Sequence, residues 1–122
     1  MQVEDVAGLK AAGVDALWVS NHAGRQFDAA PAVIYVLPAI RQACSLPLIF
    51  YGGVSGALDI LRARALGADF VMLGAAWHFA LAALGTRGPA HLINMLRKDL
   101  HANMGQLGLH TLADAKHRLI PD

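Results

Sequence analysis

Two stretches of this chain echo one another, and the echo narrows what it can fold into. AAGVDALWVS at residues 11–20 and ALGADFVMLG at residues 65–74 both run from a helix end through Gly-x-Asp into a short apolar segment. Gly13 and Gly67 suit the left-handed conformation that follows a helix. The apolar segments are too short for helices and do not alternate, which is the pattern of strands covered on both faces by helices. Strands separated by helices in this way predict right-handed crossovers and a parallel sheet, so the expected fold class is α/β.

The rest of the chain continues the alternation. A helix over residues 3–12 leads to a strand over 16–20, then to NHAGRQFDAAPA, a polar loop of a length that usually marks function. A helix over 33–43, with Pro38 as a kink or restart, precedes a strand over 47–50 that ends in YGGVSG. A helix over 58–66, a strand over 70–73 and a helix over 75–84 follow. Further on, Leu92, Ile93, Leu96, Leu100 and Met104 recur opposite Arg97, Lys98 and Asp99, which predicts an amphipathic helix over 89–106. A last helix over 111–118 begins at the capping pair Thr111 and Asp114. Trp18, Trp77, Met72, Met95, Met104 and the apolar stretch 65–84 are expected in the core, and Cys44 on an apolar helix face.

Composition bears on how such a chain is completed. Its 122 residues match one domain, yet 56% are apolar and only 16% charged. That balance asks for more burial than a chain of this size provides, and suits a piece of a larger α/β protein or a subunit with a large interface. The net charge of +1 comes from scattered basic residues with no stripe to follow a phosphate backbone, so nucleic acid is not an expected partner. One cysteine makes no internal disulfide, the opening MQVEDVAGLK lacks a signal-peptide pattern, and no segment has the ~20 apolar residues of a membrane span. The expected location is the cytoplasm.

In parallel β/α folds, ligands bind at the C-terminal ends of the strands. Three loops leave such ends, at residues 21–28, at 52–57 and at Gly74, and so point to one shared site. The first holds the imidazole of His22 three residues from Arg25, a two-pronged donor for a carboxylate. The pair fits proton abstraction beside a bound carboxylate. A histidine beside an arginine in a loop is more often a surface or capping residue, and the residues alone leave both readings open. His78, His91, His101, His110 and His117 fall on helices or in the tail without the spacing of a metal site, so solvated or half-buried roles are expected and no metal.

SNHAGRQFD at residues 20–28 resembles the SNHGGRQLD signature of the FMN-dependent α-hydroxy-acid oxidases and dehydrogenases, of the glycolate oxidase, L-lactate dehydrogenase and mandelate dehydrogenase type. The likeness extends through LPAIR at 37–41, GGV at 52–54, LDILRARALGADFVMLG at 58–74 and the closing LGLHTL. It implies a parallel, eight-stranded TIM-type β/α barrel with FMN at its mouth, oxidising a small 2-hydroxy acid to a 2-keto acid. Residues 1–122 would form its C-terminal portion, the last three strands and their helices. The resemblance makes His22 the general base and Arg25 the clamp for the substrate carboxylate. Gly52, Gly53, Ser55, Gly74 and Ala75 fall at the FMN-binding turns, while the flavin lysine, the aspartate that orients the histidine and a substrate tyrosine belong to earlier strands.

Four positions depart from the family pattern. Tyr51 replaces an aspartate, Ser55 and Ala75 replace arginines that reach the FMN phosphate, and Ala23 replaces a glycine, restraining the loop if that position needs positive φ. The isolated chain is therefore expected to bind FMN weakly, to be inactive, and to self-associate or pair with the missing part of the barrel. A competing expectation is a truncated, non-catalytic segment that acts through such pairing alone. Relatives of inosine-monophosphate dehydrogenase share the GG turn but lack the SNHxGRQ loop, which argues against that kind of barrel.

Overall fold

The computed structural model describes residues 2–119. α1 (Asp5–Ala11), β1 (Leu17–Ser20), α2 (Val33–Ala43), β2 (Leu48–Tyr51), α3 (Ala57–Ala65), β3 (Phe70–Val71), α4 (Ala75–Leu84) and α5 (Gly88–Leu107) follow one another, with a 3-10 stretch over Leu112–Arg118. The strands form one parallel sheet in the order β1-β2-β3, with Leu17 beside Leu48 and Ile49 beside Phe70. This is the arrangement the repeated helix-strand unit implies. β3 is shorter than expected, although the Met72 N–H still bonds the Phe50 carbonyl at 2.8 Å. α2 runs unbroken through Pro38 rather than restarting there.

Alternation along each strand sorts the side chains. Leu17, Val19, Leu48 and Phe50 turn toward the helices and are buried with Val6, Leu37 and Ile40. Each such side chain contributes roughly 1.5–3 kcal/mol when fully buried. The other face of the sheet is not covered. Trp18 is 52% exposed and Phe70 63%, and Trp18 meets Tyr51 edge-on at 5.8 Å between ring centroids. Helices thus cover one face of these strands and not both, and Trp18 is not a core residue. The apolar residues of this second face have no cover among the described residues.

The same correction applies to α4 and α5. No residue of α4 is buried and Phe79 is 73% exposed, so stretch 65–84 is core only in part; Met95 is 55% exposed, and Trp77, Met72 and Met104 are half-buried. A helix apolar on every side calls for neighbours on every side, and this chain provides α5 on one. Gly88 lets the two helices approach, because a side chain there would run into the Ala80 carbonyl. Leu61 of α3 packs with Leu109 and Ala115, joined by Leu100 and Met104 of α5. Asp114 accepts the Thr111 N–H at 2.7 Å and the His110 N–H at 3.2 Å, and the Thr111 bond foremost holds its carboxyl below the usual carboxylate range. No helix among the described residues is long and apolar enough to cross a membrane.

At the N-terminal ends of the strands, Arg41 ties three segments together. It donates to the carbonyls of Leu46 (2.9 Å) and Cys44 and to the Asp69 carboxylate (3.0 Å), which itself accepts the Leu48 N–H at 2.9 Å. The ion pair is half-exposed and by itself worth little. The carbonyl bonds matter more, because truncation leaves part-buried acceptors unpaired. Arg41→Ala is expected to lower the unfolding free energy by about 1–3 kcal/mol, read from the denaturant midpoint. Gly67→Ala acts on the same clasp, since φ is +109° there and a Cβ would lie 2.5 Å from Arg41 Cγ. An unchanged midpoint in both variants would remove the clasp from the account.

Candidate active site

β1 delivers its loop at the C-terminal end of the sheet, and the loop closes into a tight turn over His22–Gly24. The Gly24 N–H bonds the Asn21 carbonyl at 3.1 Å, the Arg25 N–H bonds the His22 carbonyl at 3.3 Å, and Asn21 Nδ2 reaches the Pro31 carbonyl at 3.4 Å. The positive φ values fall at His22 (55°) and Gly24 (71°), on either side of Ala23. Left-handed backbone at a non-glycine residue costs about 1–3 kcal/mol and tends to mark functional sites. The His22 N–H donates to Ser20 Oγ at 3.0 Å.

His22, Trp18, Ser20, Tyr51, Met72 and Leu73 line an open hollow of about 530 Å³. It lies over the exposed face of the sheet beyond the strand ends, and of the three loops expected to share a site only the first lines it, through His22. Arg25 shares the turn but does not line this hollow, and it is exposed with no carboxylate within 4.0 Å among the described residues. Trp18 and Ser20 were not singled out as site residues from the sequence. Their two-residue spacing along β1 was the available signal, because it places both on the face that carries the hollow.

The glycine turns part company in the fold. Gly52 packs on Val33, with a hypothetical Cβ 2.9 Å from Val33 Cγ2, and both Gly52 and Gly53 border a second hollow of about 490 Å³ together with Asn21, Gly24, Asp28 and Asp59. Gly53, at φ +69°, has open space where a side chain would begin. The Ser55 and Gly56 amides donate to the Asp59 carboxylate at 3.0 and 3.3 Å, and the Ala57 amide donates to Asp99 at 2.9 Å. Two carboxylates thus occupy the N-terminus of α3. At the start of α4, a side chain at Gly74 would collide with the Tyr51 hydroxyl. Ser55 and Ala75 are exposed and uncharged. No cluster of metal-ligating side chains occurs among the described residues.

Residues 1–122, the whole chain, match the family described as FMN-dependent dehydrogenase. The chain belongs to that family. An L-lactate oxidase of Alicycliphilus denitrificans is 47% identical over 116 residues, which are 93% of this chain and 32% of the relative. An L-lactate dehydrogenase of Serratia proteamaculans is 40% identical over 113 residues, 91% of this chain and 30% of the relative. Among solved structures, a Y128F mandelate oxidase carrying a monooxide FMN adduct superposes with a TM-score of 0.89 at 36% identity, covering 95% of this chain and 38% of the other. A lactate oxidase of Pediococcus acidilactici gives 0.89 and 36%, covering 95% and 33%. The chain therefore spans about a third of the length of these relatives, and its parallel sheet with helices agrees with part of a β/α barrel.

FMN is the cofactor of the FMN-dependent dehydrogenase family. In this member, an open hollow of about 530 Å³ lies beside His22, and Gly53 borders a separate one of about 490 Å³. Positions 55 and 75, beside the glycine turns, carry no charged side chain.

Proposed function

We propose that this chain contributes the proton-transfer and carboxylate-binding loop of an FMN-dependent enzyme that oxidises a small 2-hydroxy acid to a 2-keto acid. The observation that carries the reading is His22, held in a left-handed turn at the end of β1 and opening on the hollow lined from β1, β2 and the residues that follow β3. The whole-length family match and the lactate oxidases and dehydrogenases among the relatives support it. In this reading His22 removes a proton from the hydroxy acid. Arg25, exposed and without an acidic partner among the described residues, binds the substrate carboxylate through two parallel hydrogen bonds. FMN, when bound, supplies the acceptor for the two electrons. Gly52, Gly53 and Gly74 approach it through backbone, with Ser55 and Ala75 at the neighbouring uncharged positions.

The exposed sheet face and the uncovered α4 support a second element of the reading: the remaining strands of a closed barrel pack on this segment, in the cytoplasm. The chain alone is inactive and covers its apolar faces by self-association. The direct test extends the segment with a preceding barrel portion from one of its lactate-oxidising relatives and adds L-lactate without oxygen. Bleaching of the flavin absorbance is the expected result. A folded, flavin-loaded assembly that shows no bleaching with L-lactate, mandelate or glycolate would dispose of the proposed activity.

A further inference from the structure

We infer that Ser20 is the positioning residue of His22, an inference that rests on the reading of His22 as the base. Among the described residues His22 is the only non-glycine residue with positive φ, a backbone region that side-chain-bearing residues populate only when held there. The turn bonds act on the carbonyl side of His22: the Gly24 N–H to Asn21 spans His22 and Ala23, the Arg25 N–H takes the His22 carbonyl, and the Asn21 amide to Pro31 fastens the loop's flanks. The one bond made by the His22 N–H itself goes to Ser20 Oγ, at 3.0 Å.

Serine and threonine hydroxyls accept from a backbone N–H two residues on, bending the chain locally in competition with regular structure. Here the bend ends β1 after Ser20 and turns the next residues back over the sheet. Ser20 shares with Trp18 the strand face that lines the hollow, so its hydroxyl joins the rigid strand to the backbone of the proton-transfer residue. The Ser20 bond fixes the peptide that enters His22, and together with the turn bond across His22 and Ala23 it sets the backbone from which the imidazole reaches the hollow. A threonine keeps the oxygen and suits a strand end, whereas an alanine removes the acceptor without disturbing the core, because Ser20 is only half-buried.

The test compares the isotope-labelled 122-residue chain with its Ser20→Ala and Ser20→Thr variants by NMR. The expected parent spectrum shows the Cα and Cβ shifts and the H–N to Hα coupling of positive φ at His22. Ser20→Ala loses this signature, Ser20→Thr retains it, and all three unfold at nearly the same denaturant concentration. In the completed barrel, Ser20→Ala lowers kcat about tenfold or more with little change in KM, and Ser20→Thr restores most of it. A Ser20→Ala chain that keeps the His22 signature overturns the inference, as does one that loses it without loss of kcat. His22→Ala separates the two proposals: if it retains turnover, His22 is not the base, whatever the NMR shows of its backbone.

Discussion

His22→Ala lowers kcat by roughly 10²- to 10⁴-fold in a barrel completed around this chain, the range contributed by a positioned general base, while substrate binding is largely kept. The side chain is exposed at the rim of the hollow and takes no part in the core, so the loss is not one of folding. Alanine tolerates the left-handed backbone at residue 22 poorly, which could disturb the loop. His22→Asn controls for this, because asparagine visits that conformation readily yet offers no comparable base. Both variants should lose turnover alike. Arg25→Ala should instead raise the Kd for the hydroxy acid by about ten- to a hundredfold, the worth of a charge-assisted hydrogen bond of ~1.5–3 kcal/mol. Steady-state kinetics in which either His22 variant keeps near-normal kcat would end the assignment.

The second large effect concerns the cofactor's phosphate. The chain as it stands is expected to bind FMN with a Kd weaker than micromolar and to sediment as an associated species. Positions 55 and 75 carry serine and alanine, and Asp59 and Asp99 already satisfy the amides at the start of α3. Their carboxylates also oppose a dianion there. Ser55→Arg combined with Ala75→Arg should tighten FMN binding at least tenfold for each arginine that reaches the phosphate, at ~1.5–3 kcal/mol per contact. Both positions are exposed, so the longer side chains have room. Pairing of the new arginine at 55 with Asp59 would blunt its share. Riboflavin, which lacks the phosphate, should gain nothing. Fluorescence titration with both flavins, together with sedimentation, reads every part. A monomeric parent chain with sub-micromolar affinity, more than about 8 kcal/mol, would show this segment to be a complete site.

The sequence by itself determined the element order, the parallel sheet and the family. Short apolar runs after Gly-x-Asp are local signals, and the crossover rule converts them to topology without knowledge of distant contacts. The SNHAGRQFD loop was legible for the same reason, being one continuous segment that carries its chemistry in a row. Tertiary structure alone decided which apolar residues are covered. Trp18, Phe70 and Phe79 read as core because an apolar run records that burial is required and not which partner provides it. It also decided which amides remain open to a ligand: Asp99 caps α3 from 42 residues away, a pairing no local pattern announces. The separation of Arg25 from the hollow and the left-handed turn at His22 are of the same kind. They depend on backbone dihedrals and on hydrogen bonds within the loop, and a residue string specifies these only once the strand and loop are set against each other in space.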